Sequence, residues 1–166
     1  MEINKIFISL GSNLGNRIEN LLSAKFEIIN QIGEIVKESK IYESEPWGFK
    51  SQPIFLNQVI IVKSFFNAYD ILKKCLLIEK KLGRIKKQKW DSRIIDIDIL
   101  YFNNEIINQK DLCIPHPEIQ NRNFVLVPLI EIENNYLHPE INKTNQDLLK
   151  LSKDNSKVSE YGMGLK

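Results

Sequence analysis

Two aspartates separated by a single residue are the best candidates for metal ligands in this chain. Asp96 and Asp98 lie within the run Arg93-Ile94-Ile95-Asp96-Ile97-Asp98-Ile99-Leu100. If that run is a strand, alternate residues share a face, so both carboxylates point the same way, about 6.6 Å apart along the backbone. Aspartate is depleted in strands. A bound Mg²⁺, which prefers oxygen ligands, would explain the pair, and a solvated sheet face with two surface acids is the alternative.

The segment just before the acid pair is rich in cations, namely Arg84, Lys86, Lys87, Lys89 and Arg93. Cations beside a metal held by carboxylates can bind a polyphosphate together with its metal ion. Trp90 lies inside this segment and can pack on a base or on a guanidinium group. The pattern predicts an enzyme that moves a phosphoryl-type group from a nucleotide, with an ordinary solvated basic loop as the alternative.

Other candidate residues carry a weaker signal when taken alone. The turn Gly11–Gly15 before a helix can receive an anion, although a tight turn is the simpler interpretation, and no P-loop motif is present in the sequence. His116 stands between two prolines, a setting that is more often structural than catalytic, and Arg122 follows it closely. Core packing is the default role for the aromatic residues Trp47, Phe55 and Phe124.

Strands and helices alternate in the first two thirds of the chain. Apolar runs predict strands over residues 6–10, 35–41, 55–65 and 94–102. Asn16 and Asn67 are N-cap residues of two amphipathic helices, and Gly33 and Gly83 suit the positions just past the ends of those helices. The resulting order β-α-β-β-α-β predicts an α+β fold, a ferredoxin-like sandwich with a mainly antiparallel sheet and additional C-terminal elements.

The last third is less regular. Asn103 and Asn104 can form a tight hairpin turn, after which residues 105–107 would pair back on the preceding strand. Residues 124–132 are predicted to form a short helix that tolerates Pro128 if the proline lies near its first turn, and Thr144 caps a final short helix. We predict one domain over residues 1–152, followed by a polar, frayed tail over residues 153–166.

Composition excludes several classes of protein. The chain has 166 residues and a net charge of only +2, which does not favour general nucleic-acid binding. The two cysteines, Cys75 and Cys113, form no metal-ligand cluster and fit a reducing compartment. The sequence shows no signal peptide and no apolar run of membrane-spanning length. We therefore predict a cytoplasmic protein with no membrane or nucleic-acid partner, and a monomer as the default.

Taken together, the motifs resemble a known family along most of the chain, from Ile6 to about Ile132. Their landmarks are Gly11-Ser12-Asn13-Leu14-Gly15, Phe55-Leu56-Asn57, Ile78-Glu79, Gly83-Arg84, Trp90 to Leu100, Pro115-His116 and Asn121-Arg122-Asn123-Phe124-Val125-Leu126 with Pro128-Leu129. In these features the sequence resembles the 6-hydroxymethyl-7,8-dihydropterin pyrophosphokinases of folate biosynthesis. The resemblance implies transfer of pyrophosphate from ATP to the hydroxymethyl group of the pterin, with release of AMP.

The resemblance also implies roles for individual residues. Asp96 and Asp98 would hold two Mg²⁺ ions along the triphosphate, and Arg84 and Arg93 would join them as catalytic residues. The residues expected to contact ATP are Glu79, Arg84, Lys86, Lys89, Trp90, Arg93, Ile99, His116 and Arg122. Those expected to contact the pterin are Ser44, Glu45, Trp47, Phe55, Asn57 and Phe124, with the two phenylalanines on either side of the ring.

Two other classes of function remain open from the residues alone. A ferredoxin-like sheet can also bind RNA, but it would need aromatic residues on its open face, where the strand that we expect at the centre carries Asp96 and Asp98 instead. A module that senses a small molecule without turnover is the second alternative. Release of AMP from ATP and a pterin would distinguish an enzyme from such a sensor.

Overall fold

The computed structural model describes residues 1–46, 51–83 and 93–162. The described strands are β1 (Asn4–Ser12), β2 (Glu34–Glu38), β3 (Tyr42–Ser44), β4 (Phe55–Ser64), β5 (Asp96–Phe102), β6 (Ile107–Asn108), β7 (Cys113–Ile114) and β8 (Val158–Glu160). The helices are α1 (Arg17–Gln31), α2 (Ala68–Lys81), α3 (Asn123–Glu133) and α4 (Asn145–Leu151), and a 3-10 turn spans Ile119–Asn121. None of the helices within these ranges is long and apolar enough to cross a membrane.

The main sheet has the strand order β5-β1-β4-β3-β8, and β2 pairs with the other half of β4. Its pairings are antiparallel, and β5-β1-β4-β2 is the arrangement of a ferredoxin-like sandwich. The expected α+β fold is therefore confirmed. The prediction that the aspartate strand is central is wrong: β5 stands at one end of the order, because the connection from β4 through α2 passes over β1.

One face of the sheet packs against α1 and α2. The core between them includes Ile6, Ile8 and Leu10 of β1 together with Leu21 and Ile78 of the helices. The predicted helix caps are present: Asn16 Oδ1 accepts a hydrogen bond from the backbone N–H of Glu19 at 3.1 Å, and Asn67 Oδ1 accepts one from Asp70 at 2.9 Å. Such caps satisfy N–H groups that lack a partner within the helix.

Cys75 and Gly33 show how closely this side of the molecule is packed. Cys75 is buried in the core, and burial raises the pKa of its thiol to about 12. Gly33 lies just past α1 as predicted, but glycine is required there because the backbone contacts the sheet. A Cβ atom at this position would lie 2.0 Å from the carbonyl oxygen of Lys63, so only glycine lets the end of α1 approach β4.

Part of the opposite face is covered by α3 and α4, which pack on Phe7, Ile61 and Tyr101. The helix predicted over residues 124–132 is α3, and Thr144 caps α4 by accepting from Asp147 N–H at 3.2 Å. Pro128 is the sixth residue of α3, further inside the helix than expected. Since proline has no N–H, it cannot donate to the carbonyl of Phe124.

Three further sequence predictions are corrected in the described chain. The expected strand over residues 35–41 is two short strands, β2 and β3, which both pair with β4. The segment after the Asn103 turn does not pair back on β5, because β6 pairs with β7 in a separate two-stranded sheet. The tail is not frayed throughout: β8 adds to the free edge of β3, which supplies hydrogen-bonding partners that a polar sequence pattern does not reveal.

Candidate active site

Asp96 and Asp98 lie on the same face of β5, as the alternation of the strand predicted. Ile95, Ile97 and Ile99 point the other way and are 0%, 4% and 6% exposed within the core beneath α1 and α2. Both aspartates are partly exposed and belong to the face that α3 and α4 leave uncovered at this end of the sheet. Asp96 and Asp98, two positions apart on the strand, form a short acidic surface that can bind a hard cation.

Arg93 lies against the first of these aspartates. Its Nη1 atom is 3.0 Å from Oδ1 and 2.9 Å from Oδ2 of Asp96, and the two side chains are 21% and 23% exposed. A guanidinium group has five N–H donors, of which Nη1 carries two. The other three donors of Arg93 belong to the same planar group, so they can bind the oxygens of a phosphate held at the acidic surface.

His116 and Arg122 complete a charged cluster around the acid pair. Burial and, to a smaller extent, the neighbouring charge of Arg122 lower the pKa of His116 to about 4, against the opposing influence of Glu118 and Asp96. Burial also lowers the pKa of Arg122, which the carboxylates of Asp98, Glu118 and Asp96 counteract. Both side chains therefore lie close enough to the acid pair for its charge to act on them, Arg122 as a cation and His116 as a neutral ring near pH 7.

The tautomer of His116 follows from its hydrogen bonds. Its backbone N–H donates to the carbonyl of Leu100 at 2.9 Å, which ties it to β5. Its Nδ1 atom accepts from the backbone N–H of Glu118 at 3.1 Å. In the neutral ring the proton is therefore on Nε2, which makes that atom a donor suited to an anionic ligand.

Gly11 lies between the acidic surface on β5 and the side chains of Phe55 and Asn57 on β4. It is paired with Asn57 of β4 on one side and with Asp96 of β5 on the other. A Cβ atom at Gly11 would lie 3.4 Å from Asn57 Oδ1, 3.7 Å from the ring of Phe55 and 4.0 Å from Asp96 Cβ. The space left by the missing side chain of Gly11, bordered by the Asn57 amide, the Phe55 ring and Cβ of Asp96, is called the cleft below.

Among the other residues expected around the pterin, Ser44 is tied to the cleft by a hydrogen bond. Ser44 ends β3, and its hydroxyl accepts a hydrogen bond from Asn57 Nδ2 at 2.6 Å. Both of these side chains are buried, whereas Glu45 directly after Ser44 is exposed. Phe124 is the second residue of α3 and is partly buried against the core beneath α3 and α4.

Arg122 links the charged cluster to Phe124. The central carbon of its guanidinium lies 5.6 Å from the centre of the Phe124 ring, within the range of a cation–π contact. Arg122 is also the N-cap residue of α3. The start of this helix therefore presents one cation towards the acid pair and one aromatic ring beside it.

Sequence reasoning missed the role of Asn13, which it treated only as part of a turn motif. Asn13 is 2% exposed, and its backbone N–H and side-chain oxygen bond to the backbone of Arg93 at 3.0 and 2.6 Å. Its Nδ2 atom donates to Gln52 Oε1 and to the carbonyl of Pro53 at 3.1 and 3.2 Å. These partners lie 39 to 80 residues away in the chain, so no local pattern could have revealed them.

The remaining candidates are not gathered in the same way. Glu79 is buried in α2, and its Oε1 accepts from the backbone N–H of Ile97 at 3.3 Å. The side chain of Ile99 is buried on the helix-covered face, opposite the acid pair. The nucleoside contacts expected of Glu79 and Ile99 stay predictions. Five further candidates lie outside the described residues, namely Trp47, Arg84, Lys86, Lys89 and Trp90.

Comparisons with known proteins agree on one family. A sequence model of 7,8-dihydro-6-hydroxymethylpterin-pyrophosphokinase (HPPK) matches residues 7–134. The 2-amino-4-hydroxy-6-hydroxymethyldihydropteridine pyrophosphokinase of Aquifex aeolicus is 43% identical over 134 residues, covering 81% of this chain and 83% of that protein. The protein of the same name from Bacillus subtilis is 36% identical over 161 residues, covering 95% of this chain and 96% of that protein.

A solved structure supports the fold independently. The crystal structure of Plasmodium falciparum HPPK-DHPS with pteroate superposes with a TM-score of 0.72 at 18% identity. The match covers 90% of this chain but only 42% of that longer chain. At this identity the likeness concerns the fold alone.

Proposed function

Since this chain belongs to the 7,8-dihydro-6-hydroxymethylpterin-pyrophosphokinase family, we propose that its cleft at Gly11 is where pyrophosphate passes from ATP to the pterin. The chain is an enzyme of folate synthesis, and ATP is its co-substrate. We place the reaction there because the charged residues and the residues expected to bind the pterin are neighbours at Gly11. Asp96 borders Gly11 on the charged side, and Phe55 and Asn57 border it on the other.

The reaction needs alignment more than covalent help from the protein. The hydroxymethyl oxygen of the pterin attacks the β-phosphorus of ATP and loses its proton. The bond between that phosphorus and the oxygen bridging to the α-phosphorus breaks, and AMP leaves with the bridging oxygen. Negative charge shifts during this exchange, so fixed positive groups such as Arg93 and Arg122 stabilise the transition state most.

The acid pair fits Mg²⁺. The ion is commonly bound through one or two carboxylates and completes its octahedral shell with water and substrate phosphates. Asp96 and Asp98 offer such carboxylates on one partly exposed face, and the neighbouring Gly11 has no side chain to fill the space. When bound, Mg²⁺ would neutralise charge on the triphosphate. Two ions, as the family resemblance implies, are part of this proposal.

The pterin would lie on the apolar side of the cleft. Phe55 and Phe124 are both partly exposed aromatic residues at the starts of their elements, β4 and α3. An aromatic ring on each face suits a flat heterocycle, and Asn57 offers an amide to its edge. The hydrogen bond from Asn57 to Ser44 holds the orientation of that amide. A monomeric state and a cytoplasmic location remain predictions from the sequence.

The direct test is to incubate the full chain with ATP, Mg²⁺ and 6-hydroxymethyl-7,8-dihydropterin and to measure AMP and the pterin diphosphate. We expect the two products in equal amounts, and no AMP when the pterin is omitted. Binding of both substrates without AMP would instead indicate a sensing module. RNA binding is not favoured, because β5 presents two carboxylates on the open face of the sheet, where an RNA-binding sheet would need stacking aromatic residues.

Replacing Phe124 with alanine should weaken pterin binding while leaving ATP binding nearly unchanged. Stacking of a planar base on an aromatic ring contributes roughly 1–3 kcal/mol, so we expect the dissociation constant of the pterin to rise about 5-fold to 150-fold. Titration calorimetry with the pterin, with and without a non-hydrolysable ATP analogue, measures the change.

Ile132→Ala provides the matched control. Like Phe124, Ile132 lies on α3 and is partly buried against the same core. Its removal should lower the melting temperature through lost packing and leave pterin affinity unchanged. If Phe124→Ala behaves like this control, with a lower melting temperature and the wild-type affinity per folded molecule, Phe124 is a core residue and not a wall of the pterin site.

A further inference from the structure

The C-terminal segment 152–161 contacts the start of α3. Asp154 Oδ2 accepts a hydrogen bond from the backbone N–H of Asn123 at 2.8 Å, and Asn123 Nδ2 donates to the backbone carbonyl of Asp154 at 2.9 Å. Asn123 is the first residue of α3, and the side chain of the N-cap residue, Arg122, makes no capping hydrogen bond. A residue 31 positions away therefore supplies the acceptor that a local cap normally provides.

The carboxylate of Asp154 is itself held in place. Its Oδ1 accepts from the backbone N–H of Ser156 at 2.9 Å, and its own backbone N–H donates to the hydroxyl of Ser152 at 3.2 Å. Its negative charge lies at the N-terminal end of an eleven-residue helix, where the aligned peptide dipoles favour an anion. The contact is therefore both a hydrogen bond and a favourable charge interaction.

The same segment also binds the opposite wall of the proposed pterin site. Strand β8 pairs with β3, placing Val158 opposite Ser44 and Glu160 opposite Tyr42. Ser44 in turn accepts from Asn57 and is paired with Phe55 in the next strand. One short segment thus contacts the element that carries Phe124 and the element next to the one that carries Phe55.

We propose that residues 152–161 form a strap that positions the pterin site, with Asp154 as its positioning residue. The proposal rests on the assignment of Phe55, Asn57 and Phe124 to the pterin. The strap lies beyond the residues that the family model matches, which end at 134. Asp154 acts through Asn123 on its neighbours in the chain, Arg122 and Phe124, and touches no substrate.

Asp154 affects pterin binding by changing the fraction of molecules in which the first turn of α3 is formed. Without its cap the turn frays, and Phe124 leaves its place in part of the population. A ligand that binds only the formed state then has an apparent dissociation constant that increases as that fraction falls. Saturating pterin restores the formed state, so turnover at saturation should change little.

The experiment compares Asp154→Ala, Asp154→Asn and a chain that ends after Ser156, which keeps Asp154 and removes β8. We expect Asp154→Ala to raise the KM for the pterin by up to about tenfold, because the loss of one helix cap, about 1.4 kcal/mol, cannot lower the formed fraction by more than that factor. We expect kcat to change by less than about threefold. The asparagine variant keeps one acceptor oxygen and should lie between wild type and alanine, and the shortened chain should also raise this KM.

Hydrogen exchange gives a second readout. Amides in the first turn of α3 should exchange faster in Asp154→Ala, and saturating pterin should slow them again. The control is Asp147→Ala, which removes an acidic residue from the first turn of α4, the helix packed beside α3. It should leave the KM for the pterin unchanged, because it touches neither the start of α3 nor β3.

The outcomes separate this inference from the function on which it rests. An active Asp154→Ala enzyme with a lower melting temperature and an unchanged KM for the pterin would overturn the strap as a positioning element. A kcat that falls while KM stays constant would also contradict it. If the wild-type chain releases no AMP, the proposed function fails, and the strap proposal fails with it.

Discussion

We expect Asp96→Ala and Asp98→Ala each to lower turnover at least about a hundredfold, the loss typical of removing one electrostatic stabiliser from an active site. Both carboxylates are partly exposed on the open face of β5, while the core residues of that strand point the other way. The fold should therefore survive both changes. Steady-state turnover measured over a range of Mg²⁺ concentrations, beside a melting curve for each variant, tests the prediction.

The matched control is Asp70→Ala, which removes another partly exposed aspartate, in the first turn of α2. It should lose about 0.3–1 kcal/mol of helix stability and retain turnover. Asp98→Asn, which keeps the size of the side chain and removes its charge, should be nearly as inactive as Asp98→Ala. Near-wild-type turnover of both alanine variants at saturating Mg²⁺ would show that the pair does not hold the metal.

Arg93→Ala should damage turnover far more than pterin binding. We expect kcat to fall about a hundredfold, because a guanidinium aimed at phosphate charge contributes mainly in the transition state. The contacts between Arg93 and Asn13 that shape this part of the chain use the backbone of Arg93 and should survive the substitution. Initial rates at varied pterin and saturating ATP separate kcat from KM.

Arg93→Lys is the informative companion to this variant. Lysine keeps the positive charge but loses the planar fork of donors, so it should recover only part of the activity. If charge near Asp96 were the whole contribution, the lysine enzyme would approach wild type. An alanine variant that keeps its turnover and loses only pterin affinity would contradict the assignment of Arg93 to the phosphates.

Interactions that are local in the chain could be predicted from the sequence. The caps Asn16 and Asn67 act on residues three positions away, so their residue types suffice to find them. The common face of Asp96 and Asp98 follows from the two-residue period of a strand, whichever strands lie beside it. For the same reason the alternating isoleucines of β5 identified its buried face correctly.

Interactions that depend on strand order and register could not be predicted in this way. The position of β5 at one end of the sheet and the pairing of β8 with β3 depend on which edges are free after the other strands have paired. Asp154 is a polar residue in a polar tail, and only its distance to Asn123 gives it a role. The need for glycine at position 33 also comes from another element, because the carbonyl of Lys63 in β4 would clash with a side chain there.

The hydrogen bonds of Asn13 have a consequence for how the two substrates affect each other. One residue holds both Arg93, next to the proposed phosphate site, and the Gln52–Pro53 segment that leads to Phe55. A ligand that shifts either segment changes the hydrogen-bond geometry available to the other. The two affinities then share a coupling free energy, and by thermodynamic linkage ATP alters the affinity for the pterin by the same factor as the pterin alters the affinity for ATP.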